Sequence, residues 1–272
     1  MADVFDGATV NTALCGTRFA GRVQHFPSVG STNALALEAA QAGAADGCVY
    51  VADEQTAGRG RGQHGWHSAA GYGLYVSVLL RPKMAITEAL WISLATGLAA
   101  QSAIGGTTGL KADIRWPNDL LIGDKKCGGV LVETSVAAAA EGMPAALRYA
   151  VIGVGINVNH AEFPEELDAI ATSLRMESGR ACERERLLVE LLLALDAEME
   201  FLRSELSGET TGAGLLERFG AASSWVRGKR VRVEESGGYT GVTDGLDARG
   251  FLRVTREDGE VRTVLSGGVR AS

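Results

Sequence analysis

The chain has 272 residues, 46% of them apolar, and its 26 basic and 33 acidic side chains leave a net charge of −7. That is enough chain for one large domain and a small second one, and the acidic balance argues against nucleic acid as the main partner. The four cysteines, Cys15, Cys48, Cys127 and Cys182, form no Cys-x-x-Cys pair and the acidic start is no signal peptide, which together predict a reduced, cytoplasmic protein.

In chain order, residues 7–15 read as a weak helix and 22–26 as a strand stopped by Pro27. Ser31 or Thr32 caps a helix over residues 34–40, with Gly43 as its stop. The same hydroxyls and free N–H groups would also make a socket for a ligand oxygen, and the sequence leaves both roles open. Strand-like runs at 49–55 and 74–80 bracket a loop, Gly58-Arg59-Gly60-Arg61-Gly62-Gln63-His64-Gly65-Trp66. Residues 89–110 carry no charge and approach the length of a membrane span, but serines, threonines, a glutamine and paired glycines dilute them. Residues 88–104 read instead as a buried helix, and no membrane association is expected.

Residues 113–133 read as strand, a turn at Pro117, a short strand, a Gly123-Asp124 turn and a further strand. In a turn, Asn118 and Asp119 ordinarily serve their own backbone, and a functional role needs other grounds. A loop over 137–144 leads to a strand at 148–159 that pairs antiparallel with 130–133. Its Gly153-x-Gly155 has no third glycine and no following helix, so it is not a dinucleotide fingerprint; glycines inside a strand mark a close approach to the sheet. Residues 183–202 carry a helical apolar stripe, and four short alternating runs, 230–235, 239–243, 251–255 and 261–265, predict a small C-terminal β-barrel.

The loop sets two arginines in a backbone with almost no side-chain bulk. Arginine stays charged and presents a planar fork to carboxylate or phosphate oxygens, and glycine lets the backbone come close to a ligand. No Gly-Lys-Ser/Thr follows, which excludes an ordinary P-loop. His64 and His67 have no third neighbour to complete a zinc site.

Five segments occur in one order: Ser31-Thr32-Asn33; Gln55 followed by Ala57-Gly58-Arg59-Gly60-Arg61 and Trp66; Arg115-Trp116-Pro117-Asn118-Asp119-Leu120; Lys126 followed by Gly128-Gly129-Val130-Leu131-Val132-Glu133; and residues 153–157. Together they resemble the biotin protein ligase family over nearly the whole chain. The resemblance implies an α+β fold, with a catalytic domain related to class II aminoacyl-tRNA synthetases at residues 1–223 and an SH3-like β-barrel at 224–272. The first would carry helices on a mixed, mainly antiparallel sheet. The implied enzyme joins biotin to ATP with Mg2+, releases pyrophosphate, holds biotinyl-5′-AMP and passes the biotinyl group to one lysine of a biotin carboxyl carrier protein domain, such as that of acetyl-CoA carboxylase. Monomer and homodimer both stay open, since members differ. Some members add an N-terminal winged helix and act as repressors; too few residues precede Arg22 for one, so no DNA-binding domain is expected.

By the same resemblance, Arg59, Arg61 and Lys126 bridge the biotin carboxylate and the α-phosphate, two anions that repel each other until cations intervene. Ser31, Thr32 and Gln55 match positions that hold the neutral ureido ring. Asn33, Gly58, Gly60 and Gly128 complete the biotin-binding set, Gly128 by leaving room for the biotin body. Trp66 matches the residue that stacks near the adenine, and Asn118 and Asn157 fall near the nucleotide. Asp119 either orients or helps deprotonate the acceptor lysine, or is a turn carboxylate. The magnesium ligands are not legible from spacing. The loop is expected to shield the mixed anhydride from water until the carrier docks.

One departure stands out. Many relatives carry a further arginine two residues before the tryptophan, where this chain has His64, which predicts weaker or pH-dependent loop closure. Lipoate ligases and octanoyltransferases share the superfamily but usually lack such a loop, and a nucleic-acid-binding module would need a broad basic face; these are the rival readings.

Overall fold

The computed structural model describes residues 5–137, 145–209, 212–235, 237–265 and 268–272. Its elements run α1 Gly7–Ala13, β1 Val23–Phe26, α2 Thr32–Gln41, β2 Cys48–Ala52, β3 Gly73–Leu80, α3 Ala89–Thr108, β4 Asp113–Arg115, β5 Asp119–Ile122, β6 Lys125–Val136 and β7 Leu147–Asn157. There follow α4 Glu165–Asp168, α5 Leu174–Ser178, α6 Arg184–Leu206, α7 Leu215–Ala222, β8 Arg227–Val233, β9 Tyr239–Leu246, β10 Leu252–Thr255, β11 Val261–Val264 and β12 Val269–Ala271.

The first seven strands form one sheet ordered β1-β2-β3-β7-β6-β5-β4. Strands β1 and β2 run parallel and the other neighbours antiparallel, the mixed, mainly antiparallel arrangement expected. The last five form a second, antiparallel sheet ordered β11-β10-β9-β8-β12.

Alternation along the central strands sorts side chains to two faces. On one face Val76, Val78, Val130, Ile152 and Val154 join the large core with Leu94, Leu98, Leu188 and Leu192 of α3 and α6. On the other, Tyr50, Leu79, Tyr149 and Val151 pack with Ala36 and Ala40 of α2. Covering on both sides is why β3 is buried along its whole length. Each aliphatic side chain so buried contributes about 1.5–3 kcal/mol.

Helix α3 runs beyond the expected end at residue 104, carrying Gly105 and Gly106 inside it, and stops at Gly109, whose φ of 77° suits only glycine well. The buried Thr108 hydroxyl donates to the Ile104 carbonyl at 2.6 Å within that last turn. Among the described residues no helix is long and apolar enough to cross a membrane. Helices α4, α5 and α7 and strand β12 had no sequence expectation, being too short for a periodic pattern to register. Of the expected loop at 137–144, residues 138–144 lie outside the described residues.

The second sheet clasps the segment between β4 and β5. Trp116 is buried, and its indole N–H donates to the Gly250 carbonyl at 2.9 Å. The Arg115 guanidinium lies 5.4 Å from the Trp225 ring centroid, and the Ser223 hydroxyl donates to the Ile114 carbonyl at 2.5 Å. Trp116→Phe keeps an aromatic ring but removes the indole N–H and the atoms around it, leaving the Gly250 carbonyl without this donor, so a loss of about 1–3 kcal/mol in urea denaturation is expected. An unchanged midpoint would mean that the indole bond does not hold the sheets together.

Candidate active site

A cavity of about 570 Å³ lies between the start of α2, the loop after β2, the β4–β5 turn and the second sheet, which contributes Glu234, Gly268 and Arg270. Its floor is bare because three glycines share one sheet face. Gly129 lies opposite Gly155, and Gly153 lies opposite Leu131 on one side and Ser77 on the other. A Cβ on Gly155 would sit 2.6 Å from the Trp66 indole, and one on Gly153 would overlap the Asn33 amide. The close approach expected at Gly153-x-Gly155 is therefore made by two side chains, from α2 and from the loop.

At one end of the cavity the groups are linked in a chain. Gln55 Oε1 accepts from the Thr32 backbone N–H at 2.9 Å and from the Thr32 hydroxyl at 3.1 Å, and Gln55 Nε2 donates to Ser68 Oγ at 3.0 Å. The buried Ser77 hydroxyl lies 2.8 Å from Thr32 Oγ1 and 2.5 Å from Asn33 Oδ1. Asn33 Nδ2 donates to Glu133 Oε2 at 2.8 Å, and Arg59 Nη2 lies 3.0 Å from the same oxygen. Ser31 is the N-cap of α2 without a side-chain capping bond, and it lines the cavity.

The other end is ionic. Asp119 Oδ1 is 2.5 Å from Lys126 Nζ, and Asp119 Oδ2 is 2.6 Å from Arg115 Nη2. Burial opposes ionisation of Asp119, but Lys126 and Arg115 outweigh it and hold the carboxyl below its usual range. Arg61 Nη1 lies 3.5 Å from Asn118 Oδ1, while Asn118 Nδ2 donates to the Val130 carbonyl at 2.8 Å. Burial lowers the Arg61 pKa against the opposing pull of Asp119 and Glu235. Asn157 also lines the cavity, its Nδ2 donating to the Thr172 carbonyl at 3.0 Å.

The loop folds back on itself. Gly60 N–H donates to the His64 carbonyl at 2.7 Å and Trp66 N–H to the Gly58 carbonyl at 2.9 Å, with Gly62 at φ 67° in the turn. Lys126 Nζ lies 5.3 Å from the centroid of the Trp66 ring. Next to the loop, His160 is buried, stacked 4.9 Å from Phe163, with both ring nitrogens lacking a hydrogen-bond partner. Burial, with a smaller contribution from His67, pushes its pKa down to about 4.

A biotin/lipoate A/B protein ligase family model matches residues 25–157. The chain is 35% identical over 230 residues to the biotin--[acetyl-CoA-carboxylase] ligase of Mycobacterium tuberculosis, covering 82% of this chain and 79% of that protein. The chain belongs to the biotin/lipoate A/B protein ligase family. It is also 34% identical over 240 residues to the bifunctional ligase/repressor BirA of Bacillus spizizenii, covering 85% of this chain and 68% of that protein. A biotin protein ligase from Aquifex aeolicus, solved in complex with biotin and ATP, superposes with a TM-score of 0.75 at 27% identity, over 93% of this chain and 100% of that one.

Of the residues that the family resemblance singled out, Ser31, Thr32, Asn33, Gln55, Arg59, Gly60, Arg61, Trp66, Asn118, Asp119, Lys126 and Asn157 all line this cavity. Gly128 and Gly58 do not. Strand alternation turns Gly128 to the opposite face, where a Cβ would sit 3.0 Å from Leu120 Cδ1, and its neighbour Gly129 faces the cavity instead. Gly58 serves the loop's own fold, since a Cβ there would lie 2.6 Å from the Trp66 carbonyl. The expected trio of cations is also divided: Arg59 pairs with Glu133, three residues along β6 from the Val130 that Asn118 touches, about 10 Å at strand spacing. Glu133, Ser77 and Arg115 were given no role from sequence. Ser77 had a signal, being the one polar side chain in the apolar run of β3.

Gly153→Ala forces Asn33 off its seat, and a stability loss of about 1–3 kcal/mol is expected by denaturant titration; a neutral outcome would show that the amide has room to move. For His160 the folded pKa is below the unfolded one, so only the unfolded chain gains the proton as pH falls from 6.5 to about 4. Stability is then lost across that window, by up to about 3 kcal/mol from this group. His160→Phe is expected to flatten the slope of unfolding free energy against pH, and an identical slope in the variant would dismiss His160 as its source.

Proposed function

We propose that this chain is an ATP-dependent ligase that activates biotin as biotinyl-5′-AMP and transfers the biotinyl group to a lysine of a biotin carboxyl carrier domain. The observation that carries this is one cavity with two chemically different ends. A carboxylate oxygen of biotin attacks the α-phosphorus of ATP, pyrophosphate leaves, and a mixed anhydride remains. The acceptor lysine amine then attacks the carbonyl carbon, AMP leaves, and an amide forms with release of a proton.

The end built from Ser31, Thr32, Gln55 and Asn33 offers neutral hydrogen-bonding groups, suited to the neutral ureido ring. Lys126 and Arg61 stand at the other end, where charge gathers on the phosphate oxygens. Trp66, Asn118 and Asn157, which line the same cavity, are assigned to the nucleotide. Asp119 fixes Lys126 and Arg115; a carboxyl held between two cations is a poor proton acceptor, so its role is positioning rather than deprotonation of the acceptor lysine. Among the described residues no group of three His, Cys, Asp or Glu side chains is placed to hold a metal. Mg2+ would supply neutralisation of the triphosphate charge. Residues 1–223 carry the chemistry and 224–272 close the phosphate end, in a cytoplasmic protein.

The test is pyrophosphate release from ATP with biotin, lipoate or octanoate, followed by mass spectrometry of an added carrier domain. Release with biotin and a biotinyl mass gain on one lysine are expected; turnover of lipoate or octanoate alone would move the chain to the sister enzymes. Lys126→Met is expected to slow adenylate formation about 10²- to 10³-fold with a smaller change in KM for biotin, as for loss of a transition-state contact. A loss confined to KM would place Lys126 in ground-state binding instead.

A further inference from the structure

We propose that Glu133 is a positioning residue for this reaction, whose carboxylate latches Arg59, and with it the loop at 58–66, over the ureido end of the cavity. The inference rests on the ligase reading of the site.

A carboxylate in the middle of a sheet face costs free energy unless it is paired. Glu133 stands on β6 opposite Val151, and its face continues into Leu131. It is met on the buried side by Asn33 Nδ2 at 2.8 Å, and Asn33 is itself held by Ser77 and seated on Gly153. That anchor orients the carboxylate toward the loop, where Arg59 Nη2 lies 3.0 and 3.3 Å from its two oxygens. Elsewhere the loop is held by the Trp66 indole resting on Gly155 and by Arg61 beside Asn118. The backbone at the Arg59 end is held by the Ala57 N–H bond to the Gly30 carbonyl at 2.8 Å, and Glu133 adds the tie that holds the Arg59 side chain there.

The strength of the pair fits a latch. The Arg59 side chain is 47% exposed and that of Glu133 29%. A charge-assisted pair so placed is worth little in water and weakens with salt, so the loop can open for a docking carrier. The anchored half of the contact, through Asn33 and Ser77, is not exposed in this way and stays when the loop leaves.

Glu133→Gln keeps the shape of the side chain and an acceptor for Asn33 while removing the charge. In the ligand-free protein, hydrogen exchange at the Gly60 and Trp66 amides is expected to quicken roughly three- to tenfold, the range for losing one partly exposed, charge-assisted pair. High salt should bring the wild type toward the variant. Release of biotinyl-5′-AMP should quicken by a similar factor, and Glu133→Gln combined with Arg59→Met should release it no faster than either single change. Unaltered exchange in Glu133→Gln, or single effects that multiply in the double variant, would overturn the latch. If the wild type forms no adenylate from biotin and ATP, the ligase reading fails, and the exchange measurement still decides whether the latch exists.

Discussion

The cavity depends on one constraint: Gly129, Gly153 and Gly155 fall on the same face of paired strands at the centre of a sheet whose other face is fully covered. Side chains at those places would fill the space. Because they are missing, Asn33 can lie against β7 and the Trp66 indole can rest on it, so α2 and the loop reach the same floor. Helix α2 covers only part of that face, and the cavity is the part beyond its N-terminus. The fold supplies the opening by omission, and the chemistry is supplied by the segments that lean into it.

Two carboxylates then organise the polar groups around the cavity. Asp119 gathers Lys126 and Arg115, and Glu133 gathers Arg59 and Asn33. The two loop arginines are thereby kept apart, Arg59 on Glu133 and Arg61 beside Asn118. One guanidinium is thus neutralised at the end of the cavity lined by neutral groups, and Lys126, Arg61 and Arg115 stay together at the other. The cavity therefore has a polarity of charge that is built into the protein itself.

Much of this was legible in sequence. The helix expected at 34–40 was marked by its capping residues and observed at Thr32–Gln41, β6 and β7 were read as strands set off by turn residues, and the Gly153-x-Gly155 spacing was read by the logic that a strand glycine marks a close approach. The residues that line the cavity were picked out by the family resemblance, whose motifs carry them. What escaped depends on tertiary register. Whether Gly128 or Gly129 faces the cavity turns on a single step of strand alternation, and the pairing of Arg59 with Glu133 joins residues 74 apart. Ser77 was visible as an oddity in an apolar strand, but its partners Thr32 and Asn33 are not near it in sequence.

The second sheet shows why the ionic end needs more than the motifs. Arg115 and Asp119 sit on opposite sides of a turn whose Trp116 is pinned to Gly250, and Arg115 is itself stacked over Trp225. The cation that flanks Asp119 is therefore held from both sheets. Arg270, paired with Glu234 at 2.8 Å, adds a further guanidinium to the wall, neutralised until an anion competes for it. A loss of contact between the sheets would loosen Arg115, then Asp119, then Lys126. The small C-terminal sheet is in this way part of the ionic end of the cavity, although it contributes no residue to the sequence motifs.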